Sequence, residues 1–106
     1  MDVVKEQTTY IVSASFTDQD GAAVTPSSGT YRIDDITDGA ITRVKDTTAF
    51  TPAGPTHSFE ITPDENIILK AANQIEYRLV TVKFIYGTAR QGAEEHIYCI
   101  KNMRGI

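Results

Sequence analysis

The chain has 106 residues, 41% hydrophobic and 23% charged, a balance too apolar for a disordered segment and suited to one folded domain spanning 1–106. Its net charge is −4, and the ten basic residues are spread from Lys5 to Arg104 without a run, so a phosphate-tracking surface and a nucleic-acid partner are not expected. Cys99 is the only cysteine, which excludes an internal disulfide, agrees with a reducing compartment and reads as a small buried or half-buried hydrophobe.

The amino terminus, MDVVKEQTTY, carries no basic segment followed by an apolar core, and no stretch approaches the ~20 apolar residues that cross a bilayer. Taken as it starts, the chain is expected to be made and kept in a cytoplasm, with no membrane partner. Residues 2–5 suit a short first strand. Tyr10, Val12, Ala14 and Phe16 then alternate with polar neighbours and predict a strand at about 8–17 with one apolar face.

The run GTYRIDDIT sets Tyr31 and Ile33 against Arg32 and Asp34. Asp38-Gly39 separates it from AITRVKD, and Asp-Gly suits the positive φ of a tight hairpin, so strands near 29–36 and 40–46 are predicted to pair antiparallel. Thr25-Pro26, Thr51-Pro52 and Thr62-Pro63 mark element ends, because proline lacks a ladder donor and biases its predecessor away from helix. HSFEIT, between the last two, predicts a short strand with Phe59 and Ile61 on one face. In TPDENIIL, a capping Thr62, Pro63 in the first position and a returning Glu65 predict one or two helical turns at about 63–70.

The longest alternating run, IEYRLVTVKFIY, predicts a strand at about 75–86, and AEEHIYCIKN another at about 93–102. Val80, Val82, Phe84 and Tyr86 share one face of the first, and His96, Tyr98 and Ile100 one face of the second. The opposite faces hold Leu79, Ile85, Ile97 and Cys99, and a sheet apolar on both sides needs a cover on both. That cover is either the amino-terminal segment with Val3 and Val4, or a protein partner or second copy. Leu79, Ile85, Ile97 and Cys99 are therefore candidate interface residues, joined by Met103 and Arg104 of the closing KNMRGI.

Six or seven short strands, turns rich in Gly and Pro and one short helix define the expected fold: all-β, an immunoglobulin-like antiparallel β-sandwich with strands B, C, C′, E, F and G, a short A strand, and the helix between E and F. An oligonucleotide-binding barrel would prefer exposed aromatics among basic residues, which are not evident.

Chemistry-bearing motifs are few. FTDQDGAAV, residues 16–24, resembles the start of a calcium loop, but Gly21 comes fourth rather than sixth and position twelve is Gly29 rather than glutamate. A turn is expected instead, with aspartate accepting backbone bonds and Gly21 at positive φ. A weak ion site shared with Asp34, Asp35 or Asp38 is the alternative, but two of those three cannot face one point if they lie on opposite sides of a strand. His96 and Cys99, three apart in a strand, also point oppositely and cannot act as base and nucleophile together, and His57 lies on a different strand. No catalytic residue, metal site or phosphate-cradling loop is expected, and neither is a cofactor or small-molecule substrate.

In the segments ASFTDQDGAAVTPSSGTYRIDDITDGAI, ITPDENIIL, RLVTVKFIYG and YCIKNMRG, the chain resembles the small immunoglobulin-like virion structural proteins of tailed bacteriophages and prophages. The resemblance covers most of the chain and rests on spacing and residue type. The D-x-D-G-x-x-V-x-P pattern also recurs in other bacterial immunoglobulin-like domains, including adhesins. The resemblance implies a non-enzymatic role on the capsid or at the head–tail junction, assembled in the host cytoplasm through contacts with capsid, connector or tail proteins and with other copies of the chain. The alternative is a tail-associated or bacterial-surface module that binds carbohydrate or a receptor through loops at about 18–28 and 87–92.

Overall fold

The computed structural model describes residues 1–103. Among the described residues there are seven strands, β1 (Asp2–Lys5), β2 (Tyr10–Ser15), β3 (Ser28–Asp35), β4 (Thr42–Phe50), β5 (Thr56–Ile61), β6 (Ile75–Tyr86) and β7 (Arg90–Lys101), with one 3-10 turn at Pro63–Glu65. They form a five-stranded sheet in the order β1-β7-β6-β3-β4 and a two-stranded sheet of β2 and β5.

All pairings are antiparallel except β1 with β7, where Val3 lies beside Cys99 and Val4 beside Ile100. Two-residue alternation places Val12, Ala14, Phe59 and Ile61 of the small sheet against Ile33, Val80, Val82, Phe84, Tyr98 and Ile100 of the large one, with Phe16 just beyond β2 joining them. Aromatic pairs bridge the layers: Phe16 to Phe84 at 4.8 Å, Phe59 to Tyr31 at 4.5 Å and Tyr10 to Tyr98 at 4.6 Å between ring centroids. Phe84 also explains a glycine, because its ring lies over Gly92 on the neighbouring strand and a Cβ there would meet it at 2.3 Å.

Three expectations need correction. The predicted helix at 63–70 is a single turn. Thr62 donates its N–H and hydroxyl to the Glu65 carboxylate, as anticipated, but the N–H groups of Leu69 and Lys70 go to Glu76 and cannot extend a helix. The Asp38-Gly39 hairpin is wider than a two-residue turn. β3 ends at Asp35, whose carboxylate accepts from the Thr37 N–H and hydroxyl, and β4 starts only at Thr42. The loop predicted at 87–92 shrinks to three residues, since Arg90 to Gly92 already pair with Tyr86 to Phe84 and Gly87 makes the turn at φ 62°.

FTDQDGAAV forms the expected turn. Asp18 Oδ1 accepts from the N–H of Asp20 at 2.9 Å and of Ala22 at 3.0 Å, Gly21 adopts φ 82°, and Phe16 is fully buried.

Candidate functional site

The two sheets present very different outer faces. On the small sheet Ser13, Ser15, Thr56, Ser58 and Glu60 point outward, with Ile11 the one large apolar residue among them, and the Ser13 and Ser58 hydroxyls pair at 3.1 Å across the strands. On the large sheet the outward positions of β6 are Ile75, Tyr77, Leu79, Thr81, Lys83 and Ile85, and those of β7 include Ile97 and Cys99. Register brings Leu79 beside Ile97 and Tyr77 beside Cys99, and β1 adds Val3 beside Cys99. Sequence thus anticipated the apolar content of this face but not Tyr77, Ile75 and Val3 as parts of it.

The amino-terminal segment does not cover the face. It extends the sheet as an edge strand, turning Val4 into the core and leaving Val3 63% exposed on the outer side. Ile97 and Ile85 remain 46% and 44% exposed, and Leu79 is half-buried. Cys99 is buried between its strand neighbours, with its Sγ 3.6 Å from the Asp2 carbonyl oxygen. Ile85 stands apart from the Leu79–Ile97 cluster, in an open hollow of about 270 Å³ shared with Ser28, Thr30, Lys83 and Gln91. Met103 is half-buried where the face ends, held by its N–H to the Glu6 carboxylate at 2.6 Å, and Arg104 lies outside the described residues. The expected interface residues therefore divide into a central group of Leu79, Ile97 and Cys99 and two separated ones.

A polar border lies on the β3–β4 side. Asp34 points outward yet is 1% exposed, because Arg32 and Arg43 fold their guanidinium groups onto it at 3.2 and 2.5 Å. Asp35, its neighbour, points inward, as strand alternation requires.

The inward charges form the feature that sequence reasoning missed. Glu76 and Arg78 are in phase with Val80, Val82 and Phe84, so they enter the sandwich and close one end of its core. The Arg78 guanidinium bonds Asp35 and Glu76 and donates to the Ile67 carbonyl at 2.6 Å. Burial works against ionisation of Glu76, but N–H donation from Leu69 and Lys70, the Asn73 amide and the Arg78 charge together hold its pKa below the ordinary carboxylate range. Beside them Asn66, fully buried, accepts from the Tyr98 hydroxyl at 2.7 Å and donates to the Thr8 carbonyl. Burial raises the Tyr98 pKa, and burial with the bond to Asp2 raises that of Tyr10 to about 12. These groups are occupied in fastening the 62–74 crossover onto the sheets. The signal was available, since a charged pair at i, i+2 on an apolar strand face must be buried and partnered.

His96 is 2.9 Å from Glu94 on the inner side of β7, Cys99 lies on the outer side, and His57 packs against Phe50 and Phe59. Among the described residues no cluster of three or more His, Cys, Asp or Glu could hold a metal ion, and no helix is long and apolar enough to cross a membrane. The turn at 16–27 and the β6–β7 turn meet at one end of the sandwich, where the Tyr86 hydroxyl donates to Gln19 and the Ser27 N–H to the Ile85 carbonyl.

Comparison with known proteins finds no matching family model, curated protein or solved structure.

Proposed function

We propose that the chain is a non-catalytic structural protein of a tailed-phage virion, acting through protein–protein contacts on the capsid or at the head–tail junction. The observation that carries the contact role is the uncovered apolar outer face of the large sheet. Val3, Ile75, Tyr77, Leu79 and Ile97 form a continuous patch that the described residues leave open, and small domains seldom leave such a patch without a partner. The virion context comes from the sequence resemblance. A repeated lattice suits a modest interface, because many copies acting together multiply a weak contact.

The reading predicts that the chain is found in purified particles by mass spectrometry, and that Leu79→Asp or Ile97→Asp abolishes association with them while leaving the thermal midpoint close to wild type. Particles devoid of the chain end the virion reading. The surface-module alternative draws on the meeting of the 16–27 and β6–β7 turns at one end of the sandwich, and predicts ligand binding that substitutions at Gln19 and Thr88 disturb and Ile97→Asp does not.

A further inference from the structure

We propose that the 62–74 crossover is a strap that opens as a unit while both sheets stay folded, and that acid releases it. The inference is independent of the contact role proposed above and concerns the end of the sandwich that the crossover closes.

The strap joins Ile61 of the small sheet to Ile75 of the large one and belongs to neither ladder. Its one piece of regular structure is the turn at Pro63–Glu65. Little apolar surface holds it down. Ile68 packs against the core, but Ile67 and Leu69 remain 42% and 44% exposed, and the one buried residue of the strap, Asn66, is polar.

Its ties are mostly hydrogen bonds. Glu76 accepts from the N–H groups of Leu69 and Lys70 at 2.7 and 2.9 Å and from the Asn73 amide at 2.9 Å. Asn102, just past β7, donates its amide to the carbonyls of Ala71 and Asn73 at 3.2 and 2.9 Å, and the Gln7 N–H donates to the Asn66 carbonyl at 2.8 Å. Water can take the place of each of these bonds when the strap lifts, but not of the apolar contacts between the sheets, so the strap opens at a lower free energy than the core. The groups beneath it are charged, and lifting returns Glu76 and Arg78 to water while Arg78 keeps Asp35 of β3 as a counter-ion. The ladders from β6 to β3 and β7 lie outside the strap and run on to Tyr86.

Acid acts on the carboxylates. Burial opposes ionisation of Glu76 and Glu65, but the bonds each accepts outweigh it and hold both below the ordinary carboxylate range. Closure is therefore favoured above that range, and the advantage is lost as the pH falls through the lowered values. The other groups facing the strap keep their charge state over this window. Lys45 of β4 is held charged by its bond to Glu65, Lys70 by its bond to Asp38 of the β3–β4 turn, and burial keeps the Tyr98 hydroxyl of β7 neutral.

Amide hydrogen exchange followed by NMR, with rates referred to those of an unstructured chain at each pH, tests the inference. At neutral pH the Leu69 and Lys70 N–H groups are expected to exchange through an opening that low urea leaves unchanged, well ahead of Val80 and Val82, which wait for global unfolding. Below the carboxylate range their protection is expected to drop on the order of tenfold or more while Val80 and Val82 stay protected. Glu76→Gln is expected to show the acid behaviour already at neutral pH. Asn102→Ala cuts two ties from outside the core and leaves Glu76 in place, so it carries the test if Glu76→Gln does not fold; exchange at Leu69 and Lys70 is expected to quicken about tenfold with Val80 unchanged. Leu69 and Lys70 exchanging only together with β6, at the same urea dependence, overturns the separate opening. Protection at Leu69 and Lys70 that persists unchanged through the acid range overturns the release.

Discussion

The outer face of the small sheet and the outer face of the large one are built from the same alternating code and end in opposite states. On β2 and β5 the outward positions are mostly serine, threonine and glutamate, so water completes the face. On β1, β6 and β7 the outward positions hold valine, isoleucine, leucine and tyrosine, although the core is already complete behind them. The fold does not require that second apolar layer. The difference separates residues whose apolar surface the fold removes from water from residues whose apolar surface it leaves exposed, and the proposed contact role falls to the latter.

Substitutions on the two sides of the large sheet should break the comparison most sharply. Arg78→Ala leaves Asp35 and Glu76 buried without their counter-ion and is expected to cost about 3–5 kcal/mol in denaturant unfolding. Phe16→Ala removes a fully buried ring packed between Phe50 and Phe84 and is expected to lower stability by a similar ~3–5 kcal/mol. Outward Leu79→Asp and Ile97→Asp, by contrast, are expected to change the unfolding free energy by about 1 kcal/mol or less while removing association, and Ser13→Lys on the small sheet to change neither. A large stability loss at Ile97 would show that the outer layer belongs to the core after all.

Acid sharpens the same distinction from inside. The folded-state pKa of Glu76 is lowered, so its contribution to stability is present above the unfolded carboxylate range and disappears as the pH falls through the folded value. Glu65, also lowered despite its burial by bonds from Lys45 and Thr62, acts in the same direction. Urea midpoints measured from neutral pH down past the carboxylate range are expected to fall for wild type and to fall less steeply for Glu76→Gln, whose stability at neutral pH is already reduced. Equal slopes would remove Glu76 from the account.

Much of this architecture was legible. Tyr10 to Phe16, Phe59 with Ile61, and Val80 to Tyr86 alternate so cleanly that strand, face and burial follow from a period of two. Gly21 and Asp18 announced their turn because side-chain acceptor and positive φ are local properties. What failed was decided by distant partners. Residues 66–70 could have continued a helix on local grounds, but Glu76 took the backbone donors of Leu69 and Lys70. The width of the β3–β4 turn followed from Asp35 and Thr37 rather than from Asp38-Gly39.

By itself the sequence determined that this chain forms a β-sandwich and that the strands near 75–86 and 93–102 carry apolar residues on both sides, because alternation depends only on neighbours along the strand. Only the tertiary structure decided what becomes of the second side. The amino-terminal strand had to choose between lying over Leu79 and Ile97 and pairing with the edge of β7. Pairing let its backbone groups join the ladder and Val4 enter the core, and so left the outer face open.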